Sequence, residues 1–370
     1  MHRIQSGRVH VVDIPVTELH SHGSGDVGSV KSVILELTTD TGITGWGEAS
    51  PWPVFTGTPE ANAGALTNYF IPMVQGRDPF DVEVMLAEAD KTVVHCWEAK
   101  AALETALLDI TGKALSVPVH DLLGGCFRDR VGMSFSIANP DFDEDLAKVA
   151  RLIDDGVGIF KLKTGFKDHP FDLMRVERLR EIHGDRLDLR IDYNQGMTAA
   201  EALPRLRDFE SFDLSFIEQP VPRDNLEAMA HFTDVLTTPV MADESVFNAR
   251  EAYIGAQMRI ADIFSLKIMK TGGLRRALDV AAVAKAAGIG VYGGCMFETG
   301  IAHAAGAHLM AALPELHLGC EFYMANYYLI EDILTEPFPV RNGQVHIPSG
   351  PGLGVEIDRD RLERFTVEAN

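Results

Sequence analysis

Cysteine is scarce and scattered. Cys96, Cys126, Cys295 and Cys320 are the four present in 370 residues, and no two form a C-x-x-C pair. This argues against a zinc site built on thiols and fits a reducing compartment with free, mostly buried cysteines. Long apolar runs are missing too, and none approaches the ~20 residues of a membrane span. The N-terminal stretch MHRIQSGRVHVVDIP lacks the apolar core of a secretory signal. The chain is therefore expected in the cytoplasm, with no membrane partner. Positive charge is short: 33 Lys+Arg against 54 Asp+Glu leave a net −21. Without a basic cluster, nucleic acid is not expected as a partner. A small anion is not excluded, because local lysines and a metal can reverse the potential inside one pocket. No Walker motif supports a nucleotide-binding doubly wound sheet, and no solenoid repeat or low-complexity tract is present.

What is present is a chain of soluble composition, 46% hydrophobic and 24% charged, long enough for two domains. Residues 1–55 read as strands and turns. VKSVILELTTDTGITGWGEAS holds an apolar run, a turn at Thr39–Gly42 and a second strand, which predicts a hairpin. Residues 59–122 read as helical, with three- and four-residue apolar spacing in CWEAKAALETALLDITGKAL. Val117-Pro118 and Gly124-Gly125 end that pattern. An α+β capping domain over 1–125 follows. From about residue 131, strands and helices alternate. Strand-like runs fall at 131–138, 159–163, 187–192, 214–218, 239–242, 263–268, 289–293 and 316–322. Their spacing of roughly 25 residues predicts a modified (β/α)8 TIM barrel over 126–336. Residues 337–370 return to strand-and-turn composition and are expected to pack back on the capping domain.

Barrel enzymes place their chemistry at the C-terminal ends of the strands. There the second strand ends in Lys161-Leu162-Lys163, the third in Asp192 and Asn194, and the fourth in Glu218 and Gln219. The fifth ends in Asp243 and Glu244, the sixth in Lys267 with Lys270 beyond it, and the seventh leads to Glu298. Any single acid here could be a helix cap or a solvated loop charge, and K-x-K alone could be a wet edge strand. Asp192, Glu218 and Asp243, however, come one per strand–helix unit, so a barrel brings three carboxylates to adjacent tips. Their repulsion is relieved by a hard divalent cation, Mg²⁺ or Mn²⁺, with zinc disfavoured because no His or Cys sits at these tips. Lys163 and Lys267 then flank the metal from opposite sides. The cation and Lys161 are both expected to lower the pKa of Lys163, making it a usable base. The metal would hold a substrate carboxylate and stabilise the enediolate left by α-proton removal.

The ordered series K-x-K, D-x-N, E-Q-P, D-E-S and L-K-x-x-K-x-G-G resembles the muconate-lactonizing-enzyme subgroup of the enolase superfamily. GWGEAS, LLGG and PSGPGLGVEID extend the likeness over nearly the whole chain. The resemblance implies metal ligation by Asp192, Glu218 and Asp243. It implies Lys163 as acid/base with Lys161 as its electrostatic neighbour. Lys267 becomes either a second acid/base or a cation that steadies the intermediate. Asn194 would support the metal site, Glu244 would pair with a lysine, and Glu298 would lie near the substrate carboxylate. Homo-oligomerisation is implied as well. Among the subgroup's activities, cycloisomerisation of cis,cis-muconate to muconolactone ranks first, because IEQPVPRDN, PVMADES and GCEFYMANYYLIEDI look like cycloisomerase segments. Dipeptide epimerases carry D-x-D on strand eight, and Gly319-Cys320-Glu321-Phe322 lacks it. Against that, GEASPWPVFTGT resembles the epimerases, so racemisation or epimerisation of dipeptides or N-acylamino acids stays open. Segments 18–29 and 50–57 are expected to cover the small carboxylate substrate. Trp52 and Phe55 are candidate pocket walls or interdomain packing, and His20 and His22 are solvated loop side chains or substrate contacts.

Overall fold

Apolar alternation in the first fifty residues builds an antiparallel sheet. A computed structural model describes residues 2–22 and 25–367; the side chains of 19–26, His20 and His22 among them, lie outside the described residues. β1 (Ile4–His22) pairs with β2 (Gly25–Thr39), and β2 pairs with β3 (Thr44–Ala49). The expected hairpin turn is there, with Gly42 at φ +83° where a side chain would strain the backbone. The Trp97–Leu115 helix lies across β3. It comes so close that a Cβ on Gly47 would sit 1.9 Å from the Ala102 carbonyl oxygen. The two glycines of T-G-W-G thus let an alanine-rich helix face, Ala102 and Ala106, seat directly on the strand.

The predicted helical stretch is broken into pieces, including a π turn at Leu66–Phe70 before the long helix. After it come β4 (Arg130–Gly132) and a seven-stranded parallel sheet in chain order. Its strands are β5 (Ser134–Ile137), β6 (Ile159–Lys163), β7 (Asp188–Asp192), β8 (Ile217–Glu218), β9 (Val240–Ala242), β10 (Ile263–Leu266) and β11 (Gly290–Gly293). Helices separate most of these strands. A sheet covered by helices buries both faces, which explains the near-continuous apolar runs.

Two expected strands differ. The run 214–218 contracts to the two residues of β8. The run 316–322 forms no strand; Cys320 makes isolated bridges to Met133 on one side and Gly293 on the other. Gly319, at φ +82°, passes so close to Gly132 that a Cβ would lie 2.5 Å from its carbonyl oxygen. Four backbone hydrogen bonds follow: Cys320 to Gly132, Ser134 to Cys320, Gly293 to Gly319 and Glu321 to Gly293. This short segment therefore bonds to both ends of the parallel array.

The C-terminal residues touch both regions. β12 (Val340–Arg341) and β13 (Gln344–His346) join β4, whereas β14 (Thr366–Val367) pairs with β1. Buried Asp109 ties the pieces together by accepting the Trp46 N–H at 3.0 Å and the Leu353 N–H at 2.8 Å. Among the described residues no helix is long and apolar enough to cross a membrane.

Candidate active site

Parallel register brings the candidate residues into line. Lys163 is the cross-strand partner of Asp192, and Asp192 of Glu218. Residues on one rung of a parallel sheet face the same way, so an ammonium and two carboxylates share one row. Glu218 partners Met241, and Asp243 lies two residues beyond it. One rung below, Lys161 partners Arg190 on the same face as Lys163.

The side chains form a dense ionic network. Lys163 Nζ donates to Asp192 Oδ2 at 2.5 Å and to Asn194 Oδ1 at 3.1 Å. Lys161 Nζ meets Glu218 Oε2 at 2.6 Å, Glu321 Oε1 at 2.7 Å and Asp192 Oδ2 at 3.6 Å. Across the site, Lys267 Nζ reaches Asp243 Oδ2 at 2.5 Å and Lys270 Nζ reaches Asp243 Oδ1 at 2.8 Å. Burial opposes charge on Lys161, but Glu218 and Glu321 override it and hold the ammonium well above its ordinary range. Burial likewise opposes the charge of Lys267, and Asp243 overrides it. Burial would raise Asp192 and Asp243, yet Lys163 and Lys267 respectively hold them low. Lys161 is thus a buried, charged ammonium in contact with three carboxylates.

Lys163, Lys267, Asn194, Trp52 and Glu321 line one cavity of about 40 Å³. Gly294 leaves room for the Lys267 side chain, since a Cβ there would lie 2.8 Å from Lys267 Cε. Trp52 meets Phe297 edge-on, 5.6 Å between centroids. Phe55 sits further back, against Phe247 at 5.4 Å and beneath the Lys267 ammonium at 5.1 Å. It combines interdomain packing with a contact to a site cation. Glu298 is buried behind the wall, where it accepts the Met296 N–H at 2.8 Å, and burial pushes it up to about 8. Glu244 Oε1 accepts a hydrogen bond from Asn194 Nδ2 at 3.3 Å, while Lys267 and Lys270 meet Asp243. Cys295 also lines the cavity, and burial holds its thiol well above its usual range, so it is wall rather than nucleophile.

Several participants carry no sequence signal of their own role. Glu321, in the segment without D-x-D, bonds Ser136 and Lys161. Lys270, past its strand, meets Asp243. Glu48 of GWGEAS reaches out of the N-terminal sheet to accept Thr299 N–H, Thr299 O–H and Ala302 N–H, at 2.9, 2.6 and 3.0 Å. It thereby caps the Gly300–Ala312 helix next to Glu298.

The carboxylates suit a hard divalent cation. The donors are oxygens alone. Glu218 Oε1 and Glu244 Oε2 are buried without a hydrogen-bond partner. Burial, and then the charge of Asp192, push Glu218 upward. Among the described residues no three His, Cys, Asp or Glu side chains already stand as a metal-holding group; the acids of this site are turned toward lysines. A divalent ion would compete with those ammonium groups for the same oxygens.

The chain matches known sequences along almost all of its length. Residues 8–124 match the family described as Mandelate racemase / muconate lactonizing enzyme, N-terminal domain, and 144–361 the Enolase C-terminal domain-like family. Muconate cycloisomerase 1 of Acinetobacter baylyi is 32% identical, covering 96% of this chain and 97% of its own. A chloromuconate cycloisomerase of Cupriavidus necator is 32% identical over 98% of this chain and 99% of its own. Among solved structures, a muconate cycloisomerase from Azorhizobium caulinodans is 45% identical, with a TM-score of 0.88 and 98% of each chain covered. The Pseudomonas fluorescens muconate lactonizing enzyme complexed with muconolactone is 33% identical, with a TM-score of 0.95 and 99% of each chain covered.

Proposed function

The chain belongs to the mandelate racemase / muconate lactonizing enzyme family of the enolase superfamily, and on that premise we propose that it is a divalent-metal-dependent cycloisomerase converting cis,cis-muconate to muconolactone. The observation that carries this reading is the pair Lys163 and Lys267, each against an acid and both lining one cavity. In this reading one substrate carboxylate oxygen adds to the distal double bond and forms the lactone C–O bond. The electron pair moves to the carbon beside the other carboxylate, and Lys163 gives that carbon a proton from Nζ. Asp192 and Asn194 hold the Lys163 ammonium in place until transfer. Lys267 stays charged, because Asp243 holds its proton, and balances the negative charge that collects on the substrate. Asp192, Glu218 and Asp243 would hold Mg²⁺ or Mn²⁺, whose charge would neutralise the carboxylate next to the protonated carbon.

The proposal extends to architecture. The seven parallel strands, closed through the backbone of residues 319–321, support a modified (β/α)8 barrel over 126–336. Residues 1–125 form its cap, and 337–370 complete the cap, supported by the pairing of β14 with β1. A homo-oligomer is expected by family likeness.

Two lysines lining one cavity also favour a second reading, an epimerase with a base on each face. Turnover of cis,cis-muconate beside a panel of dipeptides and N-acylamino acids separates the two. Muconate should be consumed, EDTA should abolish the reaction, and Mg²⁺ or Mn²⁺ should restore it. Turnover of dipeptides alone, or chelator-insensitive activity, would overturn the proposal.

A further inference from the structure

Gln219 follows Glu218 and is fully buried, in the left-handed region at φ +33°. A non-glycine residue held there indicates that its surroundings compel it. Its side-chain amide is fully used. Oε1 accepts the Asp243 N–H at 3.0 Å and the Ser245 N–H at 3.2 Å. Nε2 donates to Ser245 Oγ at 2.9 Å and to the Val221 carbonyl at 3.0 Å. Its carbonyl accepts the Gln195 N–H at 2.8 Å, and its own N–H donates to Met241 at 3.0 Å. Asn194 and Gln195 are left-handed too, at φ +43° and +68°, and the Asn194 N–H donates to Asp192 Oδ1 at 2.8 Å. One residue thus fastens the chain leaving the Asp192 strand, the Glu218 strand and the Asp243 strand.

We propose that Gln219 is a positioning residue that fixes the spacing of Asp192, Glu218 and Asp243 and so sets which size of divalent cation they accept. This rests on the metal-binding reading given above. A saturated amide has no alternative partner to swing toward, so the backbone carrying Asp243 cannot drift from that carrying Glu218. Mg²⁺ requires oxygens at about 2.0–2.1 Å, and Ca²⁺ tolerates about 2.3–2.6 Å with looser geometry. A frame held this firmly should favour the smaller ion. Loosening it should cost the small ion more than the large one.

The test is calorimetric titration of the full-length, metal-stripped protein with MgCl₂, MnCl₂ and CaCl₂, with thermal melts in parallel. Gln219→Met keeps the bulk and the backbone strain and removes all four amide bonds. Its Mg²⁺ and Mn²⁺ affinities should fall by ~10–100-fold, as for other residues behind a metal's ligands. Ca²⁺ should weaken less, so that the Mg²⁺/Ca²⁺ preference drops. Ser245→Ala, which removes one amide partner with little loss of volume, should move the preference the same way by less. It also serves if the methionine variant does not fold. An unchanged Mg²⁺/Ca²⁺ preference in the folded variants would overturn the proposal, as would a parallel loss of both ions that merely tracks a lower melting temperature. Absence of divalent binding by the unaltered protein would instead overturn the cation site itself.

Discussion

Glu98, in the first turn of the Trp97–Leu115 helix, is fully buried. Burial pushes it up from 4.5 to about 7, with Thr56 and Asn62 offsetting only part of that. At about 1.4 kcal/mol per pKa unit, the ionised form costs the folded state about 3 kcal/mol once the pH exceeds both values. The sign follows from proton uptake. Between pH 4.5 and about 7 the folded protein binds the proton that the unfolded chain has released, so stability falls as the pH rises through this window. Glu98→Gln is nearly isosteric and carries no charge at any pH. At pH 4 it should match the unaltered protein, because the glutamate is then neutral in both states. At pH 8 it should be more stable, by up to about 3 kcal/mol. Urea denaturation across this range reads the effect as a midpoint shift at constant slope. A variant no more stable at pH 8, or equally more stable at pH 4 and pH 8, would show that Glu98 is not held up by burial.

At the acid end the sign reverses. His10 first, and then Arg359 at 2.6 Å, hold Glu36 down at about 2 against burial. Arg359→Ala should cost about 1 kcal/mol at pH 7, a figure discounted for solvent screening of the exposed guanidinium. That difference should fade as the pH falls from 4.5 toward 2, as denaturation at pH 7 and pH 3 would show. Within the cavity, Trp52→Ala should raise KM roughly tenfold, corresponding to about 1.4 kcal/mol of lost uniform binding, with little change in kcat. Mn²⁺ affinity, measured by titration, should be untouched, since Trp52 packs its ring against Phe55 and Phe297.

The rungs of the sheet explain why so much of the site could be read in advance. Asp192 and Glu218 occupy one position in successive units and Asp243 the next tip along, so spacing alone predicts that they converge. The K-x-K alternation likewise places Lys161 and Lys163 on one face. Spacing cannot say what lies across that face, so the contacts of Lys161 with Glu218 and Glu321 could not be read from it. Residues 316–322 have strand-like composition, but Gly319 turns away under Gly132 and leaves one bridging residue. Strand identity there depends on neighbours nearly two hundred residues away in the chain. Gln219 stood in plain view within E-Q-P, yet its left-handed backbone and its reach to Ser245 are tertiary facts. The caps supplied by Glu48 have the same character, because the helix it serves begins some 250 residues later.

Lys163 is the proposed proton donor, and its role can be read directly. The most direct measurement incubates muconolactone with the metal-loaded protein in D₂O and follows deuterium entering the carbon beside the free carboxylate by NMR. The unaltered protein should exchange one prochiral proton only. Lys163→Ala should slow that exchange by ~10²–10⁴-fold, the usual loss for a missing general acid/base, while retaining its fold and its Mn²⁺ binding. Exchange by Lys163→Ala at the unaltered rate would show that another group moves the proton.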